Sequence, residues 1–239
     1  MAGHSKWAKI KRDKGANDAK RGAIFTRIGK QIAIAARKCT DPSMNPALAL
    51  AIEKAKAANM PNSNIQRAID RVNDKNAAAL EEITYEAYGP GGAGLIIEAA
   101  TDNRNRTLPE IKTALVKNGG QIADSGSVMF QFMRRGVIRV DSTGEEALLT
   151  VLDAGAEDAN EEENEIIVYT NQKDLAKVRQ SIIDAGLKVI EAELQYIANN
   201  EVEINDPEVA RKMIKLMDVL DEVDDIVNVY TNADITVEV

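Results

Sequence analysis

The chain has 239 residues, 44% of them hydrophobic and 28% charged, with a formal net charge of −8; that length suits two or three small domains better than one. Its single cysteine, Cys39, excludes an internal disulfide and any multi-cysteine metal site, and its single histidine, His4, excludes paired-histidine metal motifs. No apolar run is long enough to span a membrane, and the basic opening is not followed by the apolar stretch of a secretory signal, so a cytoplasmic setting is expected.

The charge is unevenly placed. Residues 1–80 hold 16 Lys/Arg and 6 Asp/Glu, whereas residues 81–239 hold 14 and 32. The first 38 residues alone carry 11 basic and 2 acidic side chains, which points to a localised polyanion-binding surface on an acidic body. Within residues 1–16, Lys6, Lys9, Lys11, Arg12 and Lys14 surround Trp7 without apolar periodicity. This reads as an arm that orders on docking or binding.

Residues 18–38 have helical spacing. Ile24, Phe25, Ile28, Ile32 and Ala35 form an apolar stripe; Lys20, Arg27, Lys30, Arg37 and Lys38 form a basic one, with Arg21 and Ile34 outside the pattern. Asn45-Pro46 opens a second helix as cap and first-turn proline, and Asn62 or Ser63 opens a third. Residues 1–80 thus read as a helical domain.

From Ile83 the pattern changes to short β-like runs on either side of Gly89-Pro90-Gly91-Gly92-Ala93-Gly94. The glycines match G-x-G-x-x-G, but a strand follows where a dinucleotide site needs a helix N-terminus. A hairpin turn without nucleotide is expected. In TDNRNRT (101–107), Arg104 and Arg106 stand beside a helix start, either to hold an anion or to pair with acidic neighbours. Thr107 and Glu110 suggest a capping box for a helix over 108–118. Residues 127–133 alternate, with Val128, Phe130 and Phe132 on one face, and Arg134-Arg135-Gly136 reads as a turn.

The remainder gives a β-α-β-β-α-β order over 135–199, provided the acidic run 157–165 holds an edge strand rather than only a solvated loop, which matches a ferredoxin-like unit. Residues 200–239 add a strand, a helix opened by Asp206-Pro207 and a last strand. These are too few to stand alone, so they are expected to complete residues 81–134 as a discontinuous α/β domain around an inserted one at 135–199. The acids Asp221, Glu222, Asp224 and Asp225 read as loop. No nucleophile–base pair or metal constellation is present, so neither an enzyme nor a metal or cofactor site is expected.

MAGHSKWAKIK, DAKRG, IFT, KAKAANMP, NIQRAI, YEAYGPGG, TDNRNRT, KNGG, SGSV and DEVDDIVNVYTN together resemble the YebC/PmpR family over nearly the whole chain. Two departures lower the local positive charge: Arg12-Asp13, and the run Ala47-Leu48-Ala49-Leu50. The resemblance implies an α+β protein of three domains, a helical head and two α/β domains around a cleft, in the bacterial cytoplasm. Family members are described as transcriptional regulators that bind promoter DNA, others as ribosome-associated factors that relieve stalling at proline-rich stretches, and a mitochondrial relative activates translation of cytochrome c oxidase. The expectation is therefore a monomeric, non-enzymatic nucleic-acid-binding regulator. DNA would be bound through Lys6, Trp7, Lys9, Lys11, Arg12, Lys14, Lys20, Arg21, Arg27, Lys30, Arg37 and Lys38, with Gly91, Gly92, Arg104 and Arg106 as contact loops. Ribosomal RNA on the ribosome is the alternative target.

Overall fold

The computed structural model describes residues 18–74, 78–162 and 164–237, with side chains from residue 22 onward. Apolar residues at helical spacing form three helices, α1 (Asp18–Ala36), α2 (Pro46–Ala57) and α3 (Asn62–Asp70). The Asn45 side chain caps α2 by accepting from the Leu48 amide at 3.2 Å. Its Nδ2 donates to the carbonyls of Ala35 and Cys39, so one buried amide ties the end of α1 to the start of α2. α3 departs from expectation: Pro61 holds the cap position and no side chain caps the helix. Ile28, Ile32, Leu48, Met60, Ile65 and Ile69 bury one another as a core of their own, each contributing about 1.5–3 kcal/mol.

The next strands, β1 (Glu81–Tyr88) and β2 (Gly94–Thr101), form an antiparallel hairpin across the glycine loop. Helix α4 spans Arg104–Lys117 and begins earlier than the expected 108. Its cap is Asn103, which accepts from the Arg106 amide at 3.2 Å; the hydroxyl of Thr107 is taken instead by Thr101 and Asp225 inside the fold. Strand β3 (Gln121–Ile122) follows α4.

Strand β4 (Phe132–Val140), helix α5 (Glu145–Asp153), strands β5 (Asp158–Glu162) and β6 (Glu165–Asn171), helix α6 (Leu175–Asp184) and strand β7 (Val189–Ala198) make an antiparallel sheet in the order β5-β6-β4-β7. This is the ferredoxin-like arrangement. The acidic run supplies the edge strand β5 rather than a loop. Two expectations are corrected here. Residues 127–133 are not one strand: Met129–Gln131 is a 3-10 turn, and Phe130 is 72% exposed while Val128 and Phe132 are buried. Arg134, Arg135 and Gly136 are not a turn but lie inside β4, so the expected boundary at 134/135 falls mid-strand. Gly136 is needed there because a Cβ would sit 2.2 Å from Thr170 Oγ1 and 3.0 Å from Leu175.

The chain then returns through β8 (Val202–Ile204), α7 (Pro207–Asp221), β9 (Ile226–Thr231) and β10 (Ala233–Ile235). β9 pairs antiparallel with β2, completing a sheet in the order β3-β1-β2-β9, while β8 and β10 form a parallel pair. Leu95 and Ile97 of β2, Ile111 and Leu115 of α4, and Met213, Leu216 and Leu220 of α7 fill its core. On the opposite face, Ile96, Tyr88 and Tyr230 meet Phe132 of β4 and Tyr196 of β7, joining the two sheets. The protein is α+β, with its helical residues docked on two mixed layers.

Candidate nucleic-acid interface

The expected arm residues Lys6, Trp7, Lys9, Lys11, Arg12 and Lys14 lie outside the described residues, as do the side chains of Lys20 and Arg21 on α1. The rest of the basic stripe is only in part a solvent face. Arg27 Nη1 lies 3.2 Å from Asp221 Oδ1, and Lys30 Nζ lies 2.6 Å from Asp225 Oδ1; each of these cationic side chains is only 12% exposed. Lys30 also donates to the Asp224 carbonyl at 2.8 Å, and Arg37 Nη1 to the Leu80 carbonyl at 2.6 Å. Arg37 and Lys38 remain exposed at the end of α1. Arg27 and Lys30 face the same acidic corner, so the acidic body covers the middle of the expected basic stripe.

Asp225 is the centre of this contact. Its buried carboxylate accepts from Lys30 at 2.6 Å, Thr107 at 2.7 Å, Arg106 at 2.9 Å and Thr101 at 3.0 Å. Burial works against the charged form, but hydrogen bonds from Lys30, Thr107 and Arg106 outweigh it and hold the carboxyl well below the usual range. The expected loop acids Asp221 and Asp225 are thus structural anchors for the head. The sequence signal that could have found them is the complement between the α1 cations and the acidic corner at 221–225.

The contact loops resolve similarly. Arg104 pairs with Glu81 at 2.5 Å, and Arg106 with Asp225 and with Asp102 at 3.2 Å. Both guanidinium groups tie the start of α4 to its neighbours, while their side chains stay 64% and 49% exposed. Gly91 and Gly92 are exposed at the hairpin tip with φ of 77° and 78°, conformations natural to glycine. A Cβ on Gly91 would lie 3.2 Å from Val209, so this tip is seated on α7. In the SGSV motif, the buried Glu86 carboxylate accepts from the amides of Gly126, Val128 and Met129 at 2.5, 2.7 and 2.7 Å. Burial opposes its charge, yet these three amides keep its pKa lowered.

Sequence reasoning missed Lys54. From α2 it pairs with Glu193 and, at 3.6 Å, with Glu191 on β7. Burial disfavours its charge, but the two glutamates outweigh that and raise its pKa. It lines a cleft of about 480 Å³ between α1, α2 and the two sheets. Arg134, another lining cation, lies over the Tyr196 ring and 3.9 Å from Glu98. The cleft lining carries three cations, Lys54, Arg134 and Lys173, against three carboxylates, Glu82, Glu98 and Glu193, so it does not offer a polyanion the excess of positive charge it needs. Sequence reasoning placed α3 but gave it no binding role; its Asn62, Ser63, Gln66 and Arg67 are exposed while Ile65 and Ile69 face the core. Among the described residues, no group of three or more His, Cys, Asp or Glu is placed to hold a metal ion, and no helix is long and apolar enough to cross a membrane.

Fold and charge define an α+β protein with a basic helical head on an acidic body of two four-stranded sheets and one two-stranded pair. Residues 5–75 match the family model of the TACO1/YebC protein N-terminal domain, and residues 80–233 that of the TACO1/YebC second and third domain. The chain belongs to the TACO1/YebC family. A Halothermothrix orenii protein named "probable transcriptional regulatory protein" is 45% identical over 246 residues, covering 100% of this chain and 97% of its own. A protein of the same name from Moorella thermoacetica is 47% identical over 242 residues, covering 98% and 96%. The crystal structure of a conserved hypothetical protein from Aquifex aeolicus superposes with a TM-score of 0.90 at 39% identity, covering 98% of this chain and 99% of that one.

Proposed function

We propose that this protein is a non-enzymatic, cytoplasmic, monomeric regulator of gene expression that binds DNA through its basic helical head. The observation that carries this reading is the charge division: 16 Lys/Arg against 6 Asp/Glu in residues 1–80, and 14 against 32 beyond them. An acidic body repels phosphate, so the head must supply the attraction. The relatives named as transcriptional regulatory proteins support the same role. We place the functional units at 1–80, at an inserted ferredoxin-like unit holding β4–β7, and at a discontinuous unit made of the segments on either side of it.

α3 favours duplex DNA. It follows α2 after four residues, 58–61, in which Asn59 takes φ 57°. Its outward Asn62, Ser63, Gln66 and Arg67 are side chains that pair with base edges in a major groove. A second reading, ribosomal RNA, is favoured by Phe130, which is 72% exposed and suited to stacking on an unpaired base.

The test compares mobility shift on promoter duplexes with ribosome co-sedimentation at the same salt. With about five phosphates neutralised, log K should fall against log salt with a slope of roughly −4.5 on duplex DNA or −3.5 on single strands. A protein that binds neither target, or whose binding ignores salt, is not the regulator described here.

A further inference from the structure

The cations that this function needs are turned inward at the middle of α1. Arg27 and Lys30 meet Asp221, Asp225 and the Asp224 carbonyl, all from one corner where α7 ends and β9 begins. Asp221 is the last residue of α7, whose final turn holds no basic residue. A carboxylate there faces the negative end of the helix dipole and is unfavourable unless a cation from elsewhere compensates it. Arg27 is such a cation. Carboxylate oxygens offer guanidinium and ammonium groups the same anionic acceptors as a phosphodiester, so the corner occupies α1 much as a nucleic-acid backbone would.

We propose that this acidic corner is an internal competitor for the polyphosphate surface of α1: nucleic acid displaces Asp221 and Asp225, and the head leaves the body as it binds. The inference rests on the head being the nucleic-acid surface and adds how that surface is regulated. Separation is feasible because the head keeps its own buried core. Its remaining links to the body include Leu50 of α2, which packs against the core of the β4–β7 sheet, and the ion pairs of Lys54 with Glu191 and Glu193, Arg179 with Glu53 at 2.5 Å, and Arg71 with Asp102 at 3.9 Å. A cleft of about 480 Å³ already separates part of the head from the sheets. The recognised chemistry is the phosphate backbone, common to DNA and RNA.

Fluorescence anisotropy of the full chain with a labelled DNA duplex and a labelled RNA hairpin, at matched salt, tests this. The variants are Asp221→Asn, Arg27→Ala and, as a control for loss of one body charge at another helix end, Asp153→Asn. Asp221→Asn should tighten binding about two- to five-fold, and Asp153→Asn should not. Arg27→Ala should weaken binding and flatten the salt slope by about one. Small-angle scattering should show the radius of gyration growing at saturation. If Arg27→Ala weakens binding while Asp221→Asn binds no tighter than Asp153→Asn, or the radius stays constant, the competitor is refuted and the head remains the binding surface. If Arg27→Ala is neutral, or no variant binds either probe, the functional reading of α1 fails and the competitor with it. Whichever probe shows the Asp221→Asn gain identifies the source of the phosphate.

Discussion

At Asp225, donors from α1, β2 and α4 converge on one carboxylate. Replacing it by Asn leaves Lys30 and Arg106 facing a neutral group, and Asp225→Asn should cost about 3 kcal/mol in urea unfolding. The sign of its pH dependence follows from the lowered pKa. A carboxyl depressed in the fold stabilises it fully above its ordinary value near 4, and that stability is lost as pH falls through the folded value. The urea midpoint of the wild type should therefore drop below about pH 4, and Asp225→Asn should show a shallower drop over the same range. Glu86 acts in the same direction for a different reason, since its partners are backbone amides. Glu86→Gln should lose about 1.5–3 kcal/mol and loosen residues 124–131, measured by amide hydrogen exchange.

Elements whose signals are local were legible in the sequence. Asn45-Pro46 opens α2 and Asp206-Pro207 opens α7 because cap and first-turn proline act within four residues. Elements set by distant partners were not. Thr107 resembles a cap, but its hydroxyl is taken by Asp225, 118 positions away. Gly136 resembles a turn, yet it is the close-approach point of β4 against Thr170 and Leu175. Gly136→Ala should cost about 1–3 kcal/mol, visible as a lowered melting temperature. An unchanged melting temperature would mean that the approach is less tight than these distances state. The candidate site divides in the same way: periodicity finds the basic face of α1, but not the acids lying against it.

On the scale of the molecule, the head holds to the body through the ion pairs of Arg27, Lys30 and Lys54 beside the apolar contact of Leu50. Arg27 and Lys30 lie off the apolar stripe, so helical content should survive the double change Arg27→Ala with Lys30→Ala. The head core of Ile28, Ile32 and Leu48 is untouched by it. What should change is the coupling: two separated calorimetric transitions in place of one, with faster proteolysis within residues 71–80. A single transition at the wild-type temperature would show that these pairs contribute little to docking.

The return of β9 to β2 also sets a timetable for synthesis. Glu98 and Asn228, which meet across that pair, are 130 residues apart. At about 5–20 residues per second, roughly 6–26 s separate their translation. During that interval the nascent chain holds β1 and β2 without β9 or α7, so the apolar faces of Leu95 and Ile97 have no cover from those elements. The strands β4 to β7 are meanwhile complete, and their sheet can close before the chain's end leaves the ribosome. A chain stopped before Ile226 should therefore retain a protease-resistant fragment spanning 132–198 while its residues 81–101 are digested.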